Sequence, residues 1–223
     1  ETIAKYIGAK PGEITFTSCG TEANNLAIFG AVQARRHSGN RVVTTAIEHP
    51  SVLQCMYQLE KRGYEVVRLQ PDHTGHISEE ELSEAINDKT VLVSMMLVNN
   101  EVGTIQPIET AAKIIARKKS PAILHVDAVQ AFGKLPIKVK RMKIGLLTMS
   151  GHKIHGPKGV GALYIADGLR LKPLLYGGGQ ERGLRSGTEA VPAICGFGAA
   201  VKALPEIEDS LAQLQVLSDY CRE

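Results

Sequence analysis

Ser150-Gly151-His152-Lys153-Ile154-His155-Gly156-Pro157-Lys158-Gly159 is the stretch on which the reading of this chain turns. It follows an apolar strand end, Leu146 to Met149. Gly156, Pro157 and Gly159 break any helix before the next apolar run, Val160 to Ile165. Lys153 is therefore expected on a short loop between two apolar strands. Desolvation there, with His152 as a cationic neighbour, would lower its pKa and free its amine as a nucleophile. By itself a loop lysine is an ordinary solvated residue, so its meaning depends on what the rest of the chain brings beside it.

Working outward, strands and helices alternate. A helix over residues 1–8 leads to a strand, Glu13 to Thr17, and then to Ser18-Cys19-Gly20-Thr21-Glu22. The next helix runs to about His37, with Leu26, Ile28, Phe29 and Val32 on its apolar side. Strand Arg41 to Ala46, a helix from about Pro50 to Arg62, and strand Tyr64 to Leu69 follow. Ser78 is placed as the N-cap of a helix from Glu79 to Ile86. The run Val91 to Val98 is almost wholly apolar, the mark of a strand covered on both faces. Helix Ile108 to Lys118 and strand Ile123 to Asp127 come next, and helical patterns close the chain over Glu189 to Leu204 and Leu204 to Glu223. Strands alternating with helices at this spacing give crossover units and a mainly parallel sheet, to which Val160 to Ile165 adds an antiparallel strand.

In such a sheet, ligands bind beyond the carboxyl ends of the strands. Gly20 and Thr21 follow the first strand at a helix N-terminus, where backbone N–H groups and the helix dipole suit a phosphate. Glu48-His49 follows the second, and a histidine there can stack on a flat ring or shuttle a proton. Asn99-Asn100-Glu101 ends the buried fourth strand with polar groups that need partners. Asp127 ends the fifth, where a carboxylate is costly unless paired, and Gln130 lies three residues on. A pyridinium nitrogen would be such a partner. A phosphate loop, a stacking histidine, an asparagine, an aspartate and a lysine together fit pyridoxal 5'-phosphate (PLP). Lys153 would bond its aldehyde carbon, Asp127 would keep the ring nitrogen protonated, and Gly20, Thr21, Ser150 and His152 would hold the phosphate. The rival is a metal site: His73 and His76, or His152 and His155, have chelating spacing but lack third and fourth ligands nearby, so no metal is assigned.

The totals narrow the setting. The chain has 223 residues, 43% hydrophobic, with net charge +3 and no basic cluster longer than Arg117-Lys118-Lys119, which reads as solvated surface and not a nucleic-acid footprint. No apolar run approaches the roughly 18 residues of a membrane span. Cys19, Cys55, Cys195 and Cys221 are scattered, which suggests reduced thiols in a cytoplasmic protein. The start, already helical in character, and the unclosed helical pattern at the end read as a piece of a longer protein.

The segments Thr17 to Asn25, Glu48-His49, Val98 to Gly103, His125 to Gln130, Ser150 to Gly159, Gly177 to Arg182 and Arg185 to Thr188 resemble the cysteine desulfurases of the NifS/IscS type, within the class V aminotransferase family. The resemblance implies an α/β fold, the large domain of PLP-dependent fold-type I transferases, with a mainly parallel seven-stranded sheet and helices on both faces. It implies a PLP-binding large domain over 1–204, its N-terminal part missing, and at 205–223 the start of a helix leading to an absent small domain. Lys153 would bind PLP and take the substrate Cα proton, with His49 stacked on the ring and assisting. Asp127 would pair with the ring nitrogen and Gln130 with the ring hydroxyl. Asn100 would lie near that oxygen and the substrate carboxylate. Thr188 would reach the phosphate of the partner subunit in a homodimer.

The reaction implied takes sulfur from L-cysteine, leaving L-alanine and an enzyme persulfide. The persulfide then feeds a sulfur acceptor or iron–sulfur scaffold protein. The chain departs from the pattern at Cys19, where a small residue is usual and where packing beside the phosphate loop is expected. Cys195 and Cys221 are expected to be buried packing residues. The persulfide cysteine and the arginine that grips the substrate carboxylate are expected beyond residue 223, which would leave the fragment inactive. A selenocysteine lyase, another class V enzyme and a non-catalytic scaffold stand as alternatives.

Overall fold

The computed structural model describes residues 1–222. Its centre is a seven-stranded sheet of β1 (Ile14–Thr17), β2 (Arg41–Thr45), β3 (Glu65–Leu69), β4 (Thr90–Met96), β5 (Ile123–Asp127), β6 (Leu146–Ser150) and β7 (Gly161–Ile165), in the order β1-β7-β6-β5-β4-β2-β3. β7 is antiparallel to both its neighbours, β1 and β6; the pairs β2–β3, β2–β4, β4–β5 and β5–β6 are parallel. The helices are α1 (Thr2–Ile7), α2 (Gly20–Ala34), α3 (Pro50–Lys61), α4 (Glu79–Ala85), α5 (Ile108–Arg117), α6 (Val191–Lys202) and α7 (Ile207–Arg222).

Side chains alternate across a strand, and that alternation divides the core into two layers. Val42, Leu92, Ile123 and Leu146 pack with α2 and α3 through Leu26, Ala27, Met56 and Leu59. Val43, Val93, Leu124 and Leu147 face the other way, onto α1, α4, α5 and α6 through Ile7, Leu82, Ile114 and Phe197. All seven residues of β4 are buried, the consequence of helices on both faces. Tyr6, Phe132 and Phe197 meet edge to face, with centroids 5.2 and 6.0 Å apart, and tie α1 and α6 to the second layer. Ser78 caps α4 with the expected bond, its Oγ accepting from the Glu81 N–H at 3.1 Å.

Two close approaches place the loop that follows β1. A Cβ on Gly161 would lie 2.6 Å from the Cys19 carbonyl carbon, and one on Gly20 would lie 2.8 Å from Val129 Cγ2. Only glycine lets β7 and the loop after β5 come this near to the start of α2. The result brings the ends of β1, β5 and β6 to one point.

The structure corrects one expectation about the cysteines. Cys195 and Cys221 are exposed, not buried. α6 carries apolar residues around its whole circumference, but the sheet layer covers only one side, burying Phe197 and Val201. Composition alone therefore overstates how much of α6 can be covered. Cys55 is buried on α3, and its thiol is pushed up to about 12 by burial.

Candidate active site

A cleft of about 310 Å³ opens at the carboxyl ends of β4, β5 and β6, against the N-terminus of α2. Gly20, Thr21, His49, Asn100, Asp127, Gln130, Ser150, His152 and Lys153 all line it. A larger concavity, about 670 Å³, lies at the opposite end of the sheet beside Glu13, Lys119, Lys143 and Tyr164, and its lining includes none of the site residues expected from sequence.

Asp127 is the buried centre of the cleft, 6% exposed. Its Oδ2 accepts from Asn24 Nδ2 at 2.7 Å and its Oδ1 from the Val129 N–H at 2.9 Å. Both oxygens take N–H donors, the arrangement of an ionised carboxylate. Burial nevertheless pushes its pKa up, against those two bonds, and among the described residues it forms no ion pair. Two residues earlier on β5, His125 spans three strands: Nδ1 meets Ser94 Oγ at 2.8 Å and Nε2 meets Thr148 Oγ1 at 3.0 Å. Burial pushes that imidazole down to about 3, so it is a neutral tie that holds β4, β5 and β6 in register under the cleft.

Lys153 sits on a 3-10 turn, Gly151–Ile154, directly after β6. Its side chain is exposed, so the desolvation expected from two flanking apolar strands is not supplied by the chain itself. The reason is geometric: the turn lifts residues 152 and 153 off the strand ends while Gly151 and Ile154 carry the burial. The cationic surroundings come from lysines and not, as expected, from His152. Half-buried Lys134 is lowered by desolvation and then by the charge of Lys153. His152 is lowered by burial and then by Lys153 and Lys158, and its Nδ1 lies 2.8 Å from Ser150 Oγ. A neutral histidine, several lysines and the N-terminus of a 15-residue helix make this end of the cleft suited to an anion.

Of the two asparagines after β4, only Asn100 lines the cleft. Asn99 is spent on structure, its Nδ2 donating to the Ile47 carbonyl at 2.9 Å and its Oδ1 accepting from the N–H groups of Glu101 and Val102. Thr188 is exposed and lies outside the cleft lining. Its segment is held near α2 by Arg185, which donates to Glu22 at 2.7 and 3.2 Å. Burial would raise Glu22, but the bonds from Arg185 and Ser18 bring it below its usual value. Cys19 lines the cleft rim as the residue before α2.

Residues not singled out for the site from sequence complete it. Asn24 is a polar residue among Ala23, Leu26 and Ala27 on the buried face of α2, and that interruption is the signal that could have found it. Ser51, by contrast, reads as an ordinary first-turn serine. Glu48 is 4% exposed beneath the cleft; Oε1 accepts from Thr45 Oγ1 at 2.6 Å and the Met96 N–H at 2.9 Å, while Oε2 is buried without a partner. Burial, with the charge of Asp127 adding to it, pushes Glu48 up to about 8. The folded chain thus keeps this proton while the unfolded chain releases it near 4.5, so ionisation of Glu48 erodes stability as pH rises from 4.5 to about 8. Glu48→Gln keeps the Oε1 acceptor and cannot ionise. Its stability relative to the parent is expected to rise by about 3–4 kcal/mol between pH 5 and pH 8. Urea unfolding of both proteins at pH 5 and pH 8 checks this, and an equal difference at the two pH values would show that the carboxyl is not held neutral.

The residues present fit PLP. A buried carboxylate without a cation faces the cleft, an exposed lysine stands on the adjoining turn, and a helix N-terminus with Ser150 and His152 meets an anion. The fold is that of an α/β domain of PLP-dependent fold-type I. The model of the class V aminotransferases matches residues 1–223, and the chain belongs to that PLP-dependent family. It is 49% identical over 217 residues to cysteine desulfurase IscS of Methanosarcina thermophila, covering 97% of this chain and 53% of that protein. A NifS-like protein superposes with a TM-score of 0.95 at 41% identity, covering 98% of this chain and 60% of the other. SspA in complex with cysteine superposes with a TM-score of 0.89 at 42% identity, covering 98% and 63%. The chain spans about half the length of the curated relatives it matches.

Proposed function

We propose that the protein carrying this chain is a PLP-dependent cysteine desulfurase. In this reading it converts L-cysteine to L-alanine and passes the sulfur, as an enzyme persulfide, to an acceptor or iron–sulfur scaffold protein. The observation that carries it is Asp127: a buried carboxylate with both oxygens bonded and, among the described residues, no ion-pair partner, sharing a cleft with Lys153. The bound cofactor supplies an electron sink for the carbanion formed when the substrate loses its Cα proton.

The chain's own residues do the rest. Lys153 would hold the cofactor covalently, and its amine, when free, would take the substrate Cα proton. Asp127 holds the ring nitrogen in its protonated form, and Gln130 donates to the ring hydroxyl oxygen. Asn100 orients that oxygen and the substrate carboxylate. Gly20, Thr21, Ser150 and His152 hold the phosphate, and His49 covers the ring and assists proton transfer.

Thr188 would reach the partner's phosphate in a homodimer, a reading supported by its exposure and its place outside the cleft of its own chain. Residues 1–204 form the cofactor domain and α7 leads away from it. Four unpaired cysteines support a cytoplasmic setting.

Two measurements test this. The chain is mixed with PLP, reduced with borohydride and mapped by peptide mass; the adduct is expected on Lys153. A protein of the relatives' full length that carries this sequence is then given L-cysteine, and alanine and persulfide are quantified. An adduct scattered over surface lysines in that longer protein, or no alanine, would overturn the reading.

A further inference from the structure

Asp127 and His49 are joined by hydrogen bonds that diverge from Asn24, each with its direction fixed. Asn24, 1% exposed, donates from Nδ2 to Asp127 Oδ2 at 2.7 Å and to Ser51 Oγ at 2.8 Å. Its Oδ1 is buried without a partner. That orphaned oxygen is the cost of this orientation, and the alternative is worse, because a flipped amide would set Oδ1 against the Asp127 carboxylate. The charge on Asp127 therefore decides which way the Asn24 amide faces.

Ser51 Oγ, having accepted from Asn24, has its own proton free for His49 Nδ1, 2.8 Å away. The Ser51 backbone N–H points at the same nitrogen from 3.1 Å. A backbone N–H can only donate, so Nδ1 is an acceptor and carries no hydrogen. The ring proton of neutral His49 is on Nε2.

We propose that Asn24 and Ser51 are positioning residues that lock His49 in its Nε2–H form through Asp127, so that the imidazole offers the cleft a proton donor and not a lone pair. The Asn24 amide has no proton to relay, so the chain sets a tautomer and does not conduct. The consequence for catalysis rests on the desulfurase reading: neutral His49 acts there as an acid or hydrogen-bond donor, which leaves Lys153 as the base. The tautomer itself does not depend on that reading.

The test is a long-range ¹H–¹⁵N correlation spectrum of the ¹⁵N-labelled chain without cofactor at neutral pH, with the His49 ring assigned by its loss in His49→Gln. The parent is expected to show the Nε2–H pattern. Ser51→Ala removes one of the two donors to Nδ1 and leaves the backbone N–H. The Nδ1–H fraction is expected to rise about fivefold, the weight of one net hydrogen bond. Asn24→Ala, which frees the Ser51 hydroxyl to turn away, is expected to shift it in the same direction. A parent in the Nδ1–H form, or an unchanged ratio in either variant, overturns the proposal. The parent spectrum decides even if a variant fails to fold. A failed desulfurase reading would show itself separately, as a missing adduct on Lys153 with the tautomer as expected.

Discussion

Lys153→Ala abolishes the borohydride-stable PLP adduct and lowers turnover by roughly 10⁴-fold or more, because one amine serves as both covalent anchor and base. The rival for this role is Lys134. It is half-buried, its pKa is lowered by desolvation and by Lys153, and its Nζ reaches Gln130 Oε1 at 3.4 Å. Desolvation makes Lys134 a candidate nucleophile. By position it is not: Lys153 lines the cleft and Lys134 does not. Geometry decides which amine can reach a ring held against Asp127, so the adduct in Lys153→Ala is expected to vanish, not to move. Peptide mapping after reduction reads the outcome directly. An adduct transferred to Lys134 with activity retained would sink the assignment. Lys153→Arg, which keeps the charge without a nucleophile, should be as inactive as the alanine variant.

Asp127→Asn is expected to lower kcat/KM by about 10²- to 10⁴-fold. Removing one member of a buried charge pair costs about 3–5 kcal/mol, and each 1.4 kcal/mol is tenfold. The loss should fall on kcat as well as on cofactor affinity, because a neutral ring nitrogen is a poorer electron sink. Steady-state kinetics at saturating PLP separates the two effects. A variant whose deficit disappears entirely at high PLP would show that Asp127 merely helps binding. The neutral side chain also puts an NH₂ group against one of two existing donors, Asn24 Nδ2 or the Val129 N–H. The His49 tautomer should weaken in the same variant.

The layout of the fold was legible because its cues are local. The near-continuous apolar run of β4, buried along its whole length, and the turn residues between strands and helices need nothing beyond neighbours in sequence. The site was legible for a related reason: in a parallel sheet the strand ends share one edge, so Thr21, His49, Asn100, Asp127 and Lys153 could be placed together without knowing strand order. What sequence missed depended on distant partners. Ser51 becomes part of the site only because Asn24, 27 residues earlier, faces it, and Asn24 reaches across 103 residues to Asp127.

The amino-acid sequence by itself determined the class of fold, the family, its cofactor and most of the residues that line the cleft, because each rests on a local pattern or an ordered set of short motifs. Tertiary structure alone decided how exposed those residues are and how they are bonded. It left Lys153 open, raised the Glu48 carboxyl to about 8, turned Cys195 and Cys221 outward, and set Asn24 to donate both to Asp127 and, through Ser51, toward His49. Burial and hydrogen-bond direction are properties of what packs against a residue, and those neighbours come from elsewhere in the chain.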